Sequence, residues 1–436
     1  MKCPKSKLCG GCPLITVPYK EQGRRKQRQV QELVKKSGLQ IQIEPVLMAA
    51  EPAAYRNKVI VGFAKDSSKK VYSGLYAAHS HRVINTSGCL MQPKIVNEII
   101  DAITGMVDSM KIKLYNPKTG TGLLRHVLIR YGKSTDQIMV VFVTAERNFP
   151  SRKNLVNALR TRFPQITTIL QNINPRDTSV VLQDETLLLY GRGMIEDHLG
   201  NLKLFFSPSA FYQINHDQCL VLYELAKKLL NLNGKESVLD TYCGVGSIGL
   251  FMADACRRVV GVEINRDAVE NARFNAEQNH IENIRFIAMD STKFMIDAAK
   301  RRNYYDAIIL DPPRAGTTRE FIESACALKP AKILYISCDP STQIRDLMFF
   351  RKYGYVTDRL HLVDMFPNTE HIESVCLLEY NPNVRKESWN KADRNFVNRN
   401  SHSARDRHAP YSRNRPASSK KNAKPKMKPK TKFRSK

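Results

Sequence analysis

Long apolar runs are missing from this sequence of 436 residues. No stretch approaches the roughly 20 residues that a membrane-spanning helix needs, and no apolar core follows the N-terminus. No membrane association and a cytoplasmic location are therefore expected. Acidic residues are scarce too: 41 Asp and Glu stand against 69 Lys and Arg, a formal charge of +28. Residues 381–436 hold 18 of those basic residues and 3 of the acidic ones, so they carry +15 and leave +13 for residues 1–380. A folded body that is basic without its tail points to a polyanionic partner, and nucleic acid is the expected one. Evenly spaced cysteines are also absent. There are ten, three of them within the first twelve residues. In a cytoplasmic chain of this size they do not read as disulfides. They read as a metal or cluster site plus individual thiols.

The length is too great for one typical core and implies two or three units. Residues 1–18 are rich in Cys, Gly and Pro and loop-like. "YKEQGRRKQRQVQELVKKSG" (19–38) reads as a surface helix with a basic face, in a segment taken as 19–40. Residues 41–205 form a β-rich segment with short strands such as "KVIVGFA", "HVLIRYG" and "QIMVVFVTA", interrupted by helices near 92–110 and 151–162. Over 206–380 strands alternate with helices, which predicts a doubly wound, largely parallel α/β sheet. From 381 onward apolar periodicity ends, and the composition predicts a disordered basic tail.

Several strands of the α/β segment end in residues suited to a ligand. "SVLD" runs into Tyr242-Cys243-Gly244-Val245-Gly246 and then a helix. A Gly-x-Gly turn there allows close backbone approach of a ligand. The next strand ends in Glu263, placed to bind ribose hydroxyls, and the one after it in Asp290, where an adenine amine could be read. The third glycine of a dinucleotide turn is missing: Ser247 and Gly249 follow Gly246. That spacing fits S-adenosylmethionine better than NAD. In "LDPPRAG" (310–316) Asp311 sits at a strand end with two prolines behind it, and Arg314 stands where amine methyltransferases carry an aromatic. "YISCDP" puts Cys338 at the end of another strand, where Pro340 turns the chain.

Gln213 in "FYQIN", "DTYCGVG", "LDPPRAG", "SCDP" and "HIESVCLLE" occur in this order. Together they resemble the S-adenosylmethionine-dependent RNA uracil-5-methyltransferase family, and "CPKSKLCGGC" resembles its iron–sulfur branch acting on 23S rRNA. The resemblance implies a Rossmann-like methyltransferase sheet plus a smaller β-rich domain bearing a four-cysteine cluster. It implies that Cys338 is a nucleophile adding to carbon 6 of uracil and that Glu373 accepts the proton from carbon 5. It assigns Gln213, Tyr242, Glu263 and Asp311 to S-adenosylmethionine, with Asp290 beside them, and it makes Cys89 the fourth ligand with Cys3, Cys9 and Cys12. Spacing alone leaves [4Fe–4S] and zinc about even; the resemblance favours the four-iron cluster in a structural role.

The expected partner is a 23S rRNA loop with an extruded uridine, bound by a monomer. Tyr55-Arg56-Asn57-Lys58, Arg125-His126 and Arg130-Tyr131 interleave basic and aromatic residues as an RNA face would. Competing readings are a tRNA uracil-5-methyltransferase, an RNA amine methyltransferase and a non-catalytic rRNA assembly factor. The amine reading leaves Cys338 without use, and the intact "SCDP" and Glu373 weigh against the last.

Overall fold

Short apolar segments such as "AIIL" (Ala307–Leu310) and "KILYIS" (Lys332–Ser337) are buried along almost their whole length. That is the mark of central strands covered on both faces. In the computed structural model, which describes residues 1–77, 80–176, 178 and 180–384, they lie in a nine-stranded sheet. All but the first four residues of the tail at 381–436 lie outside the described residues.

Five parallel strands form one half of this sheet, in the order Ile284–Ala288, Arg258–Glu263, Ser237–Thr241, Ala307–Leu310 and Lys332–Ser337. The antiparallel strand Glu373–Tyr380 follows, with Arg359–Val363 beyond it. The order reverses between Ser237–Thr241 and Ala307–Leu310. A crevice opens at such a switch point, outside the carboxyl ends of the strands. This is the Rossmann-like methyltransferase sheet expected from the sequence.

One boundary moves. Gln42–Leu47, grouped by sequence with the β-rich segment 41–205, pairs in parallel with Arg359–Val363 at the edge of the large sheet. Its partner is 317 positions away, so no local pattern could reveal the pairing. Helix Tyr19–Ser37 belongs there as well. Val30 and Val34 enter the same core as Leu347 and Met348 of helix Pro340–Lys352.

The remaining β-rich residues form a seven-stranded sheet, mostly antiparallel. One face buries Val127, Val140 and Phe142 against helices Lys94–Ser109 and Arg152–Arg162. The other face contributes Leu128, Met139 and Val141 to a core shared with the hairpin Ile195–Phe206 and the methyltransferase sheet. No helix among the described residues is long and apolar enough to cross a membrane.

Candidate active site

The switch-point crevice gathers the strand-end residues. Tyr242 follows Ser237–Thr241 with φ +61°, a left-handed backbone that turns the chain away from the sheet. Its hydroxyl meets Thr317 Oγ1 at 2.9 Å. Glu263 ends its strand and accepts from Gly244 N–H at 3.1 Å and from Asn265 N–H at 2.8 Å. One carboxylate therefore ties two strand-end loops together and keeps lone pairs for a diol. Gly244 has φ +55° and nothing within 4 Å of the place a Cβ would take, so its backbone is open to a close ligand. Asp290 caps helix Ser291–Lys300 through Lys293 N–H at 2.9 Å. Gln213 is buried in the loop before helix His216–Leu230, where its carbonyl accepts from Asn57 Nδ2 at 2.8 Å.

Cys338 leaves strand Lys332–Ser337 just before Asp339, which caps helix Pro340–Lys352 by accepting from Ser341 N–H. Pro340 occupies the first helical turn, where its missing N–H costs nothing. The cap and proline end the strand and leave the thiol at its lip. Ser337 pairs with Ser374 in the antiparallel ladder, so the register sets Cys338 opposite Glu373. Burial, then the Glu373 and Asp311 carboxyls, push the Cys338 thiol up to about 12, while Arg314 pulls it down. Burial first and Asp311 second hold Glu373 well above the carboxylate range, with Arg314 again opposing. Burial also raises Asp311. Burial therefore biases both groups toward their neutral forms in the resting site. The cation that opposes this bias, Arg314, is legible in "LDPPRAG" only as the missing aromatic. Its Nη2 lies 3.0 Å from His371 Nδ1, and its carbonyl accepts from Thr342 Oγ1.

The loop that delivers Glu373 is held from four directions. Fully buried Lys26 donates to Asp364 Oδ1 at 2.6 Å, and Tyr19 Oη donates to Asp364 Oδ2 at 2.9 Å. Asn368 takes φ +67° and exchanges two hydrogen bonds with Gln22. Its Nδ2 donates to Pro52 O, and its carbonyl accepts from Leu14 N–H. Tyr55 Oη donates to Pro367 O. The sequence carries no local sign of these contacts, because each spans more than 300 positions.

Over residues 19–381 the chain matches the family model described as tRNA (Uracil-5-)-methyltransferase. The chain belongs to this family. An RNA methyltransferase of Clostridium tetani is 36% identical over 379 residues, covering 87% of this chain and 82% of that protein. One from Oceanobacillus iheyensis is 38% identical over 373 residues, covering 85% and 81%. The crystal structure of the Pyrococcus abyssi tRNA (uracil-54, C5)-methyltransferase in complex with S-adenosyl-L-homocysteine is similar with a TM-score of 0.72 at 27% identity, covering 86% of each chain.

Outside the crevice, this uracil-5-methyltransferase family member brings Cys3, Cys9, Cys12 and Cys89 to one cavity of about 110 Å³, which Arg56 also lines. A single water needs only roughly 10–15 Å³ of such space, so a polyatomic group fits. Burial pushes the Cys12 thiol up to about 11, and the other three thiols add to the rise. Four thiols gathered on one cavity are suited to a shared cation. Even so, no group of three or more His, Cys, Asp or Glu among the described residues closes to metal-holding geometry.

The expected RNA face needs correction. Arg130 is 1% exposed and donates to the carbonyls of Pro208 and Ala210. Arg125 is buried on the carbonyls of Asn174 and Arg176, and Tyr55 and Asn57 are buried as well. Arg130 and Arg125 are thus spent on backbone carbonyls instead of meeting phosphates. A strand places successive side chains on opposite faces, and both faces of this sheet are covered.

Proposed function

We propose that the protein methylates carbon 5 of a uridine in RNA, using S-adenosylmethionine. One observation carries this reading: the ladder register sets Cys338 opposite Glu373, with Asp311 and Arg314 beside them at the switch point. Tyr242, Glu263, Asp311 and Gln213 would hold S-adenosylmethionine, with Asp290 at its far end. The open backbone at Gly244 and the acceptor-only Glu263 suit an adenosine ligand. Bound there, it supplies the methyl group and a positive sulfonium.

Uracil carbon 5 is too weak a nucleophile to take a methyl group unaided. Cys338 gives its thiol proton to solvent and its Sγ bonds to carbon 6, which moves the electron pair of the carbon 5–carbon 6 double bond toward carbon 5. Arg314 favours the thiolate needed for this step. After methylation, Glu373 takes the proton from carbon 5, the carbon 5–carbon 6 double bond reforms and Cys338 leaves. Glu373 must be ionised at that moment, so positive charge in the crevice matters: it lowers a carboxyl pKa that burial has raised.

Arg314 provides a direct test. Iodoacetamide alkylation of Cys338, read on its peptide by mass spectrometry, should be slow at pH 7. It should rise about tenfold per pH unit toward the folded pKa, because only the thiolate reacts. Arg314→Met should slow alkylation by about 10–100-fold at each pH, as expected for loss of a charged partner. A pH-independent rate, or no change in the variant, would contradict the assignment.

We further propose 23S rRNA as the substrate and Cys3, Cys9, Cys12 and Cys89 as holders of a [4Fe–4S] cluster. The shared cavity supports the second, and the likeness of "CPKSKLCGGC" to the 23S rRNA branch supports the first. The P. abyssi neighbour favours tRNA instead. Mapping 5-methyluridine in rRNA and tRNA from cells with and without the gene separates the two. Protein purified without oxygen should contain about four irons per chain, and each Cys→Ala change should lower that number. Stoichiometric zinc instead would correct the metal.

A further inference from the structure

The two helices on the outer face of the seven-stranded sheet are sorted by charge. Lys94–Ser109 exposes Lys94 with Glu98 and Asp101. Arg152–Arg162 exposes Arg152, Lys153, Arg160 and Arg162 and contains no acidic residue. Both bury apolar residues in one core.

Two concavities, of about 360 and 580 Å³, adjoin the basic helix and share Asn157 and Arg160. They form one groove between that helix and Thr186–Tyr190, the edge strand of the sheet. Among the described residues, no carboxylate lines it. Arg160 lies 3.9 Å from the centre of the Tyr190 ring, which holds its planar cation in place. Arg147, at one end, pairs with Glu185. Leu188 pairs with Leu170 and so faces the other side of the sheet, while Leu187 and Leu189 of the edge strand supply the apolar wall of the groove.

We propose that this groove is a second RNA-binding surface, taking the sugar–phosphate backbone of the substrate at a segment remote from the methylated uridine. This rests on the RNA methyltransferase reading. Arginines and a lysine on one wall suit phosphates, and the apolar strand opposite suits sugars or an unstacked base. The groove lies on the sheet face turned away from the core shared with the methyltransferase sheet. Two packed layers of about 10 Å therefore separate it from the crevice. At 3.4 Å per step an RNA strand needs at least about six nucleotides to reach across. A minimal stem-loop would fill the crevice alone, while a large folded RNA would engage both sites.

The test uses the full chain and two variants of exposed residues, Arg152→Ala/Lys153→Ala and the same pair with Arg160→Ala. Binding is measured against salt for a full-length 23S rRNA transcript and for a minimal stem-loop containing the mapped uridine. On the transcript the triple variant should bind at least tenfold more weakly, with the slope of log K against log salt flattened by about 2–3. The double variant should show about two thirds of that change. On the stem-loop, affinity, KM and kcat should stay at wild-type values. Unchanged binding to the transcript overturns the proposal, whether or not the variants lose a protein partner instead. Equal loss on both RNAs also overturns it, because the groove would then not be a separate site. If the wild-type protein methylates no uridine in these RNAs or in tRNA, the reading on which the proposal rests is overturned instead.

Discussion

Cys338→Ala should abolish turnover, lowering it by roughly 10⁴–10⁶-fold, the scale seen when a covalent nucleophile is removed. Wild-type protein given RNA with 5-fluorouridine at the target should become trapped on it. Fluorine replaces the proton that Glu373 must remove, so the bond between Sγ and carbon 6 persists. The Cys338→Ala protein should form no adduct, while still binding S-adenosylmethionine through residues on other strand ends. Cys243, Cys219 and Cys376 cannot substitute, because they are buried in the core. Trapping through any of them, read from the cross-linked peptide, would sink the mechanism.

Glu373→Gln should separate the chemistry into halves. Glutamine keeps the size of the side chain and its place in the ladder opposite Val363, but it cannot accept the carbon 5 proton. Methyl transfer should proceed once, and product release should fall by roughly 10²–10⁴-fold, the usual worth of a positioned base. A methylated covalent enzyme–RNA complex should then accumulate on unmodified RNA, visible as a denaturation-resistant band carrying label from the methyl group. Normal turnover would remove Glu373 from the proposed role. An unmethylated adduct would place Glu373 before methyl transfer instead of after it.

What the sequence reveals about this site is what lies close together along the chain. "DTYCGVG", "LDPPRAG" and "YISCDP" each combine a strand, its end and the following turn in under ten residues. Their chemistry could be read, because a doubly wound sheet sends all parallel strand ends to one edge. Arg314 is visible in the sequence but its charge role is not, since that depends on Cys338 and Glu373, which arrive from other strands. The bracing of the Glu373 loop by Lys26, Gln22 and Tyr55 was invisible for the same reason at greater distance. Arg130 and Arg125 went wrong in the opposite direction. A basic residue beside an aromatic looks exposed in a sequence, and only the second layer of packing shows its guanidinium spent on backbone carbonyls.

The edge strand Gln42–Leu47 has a consequence in time. On a ribosome making roughly 5–20 residues per second, the 317 positions between Gln42 and its partner Arg359 take about 15–65 s to appear. For that interval the strand has no neighbour to pair with, and an unpaired strand invites capture by other chains. Its sequence, "QIEPVL", is poorly suited to capture. Pro45 offers no N–H to a passing strand and sits where the final register slips, between Ile43 and Val46. Glu44 adds a charge beside it. Pro45→Val should therefore leave the finished protein stable while raising the fraction that aggregates during synthesis, measured as soluble yield in a cell-free translation reaction.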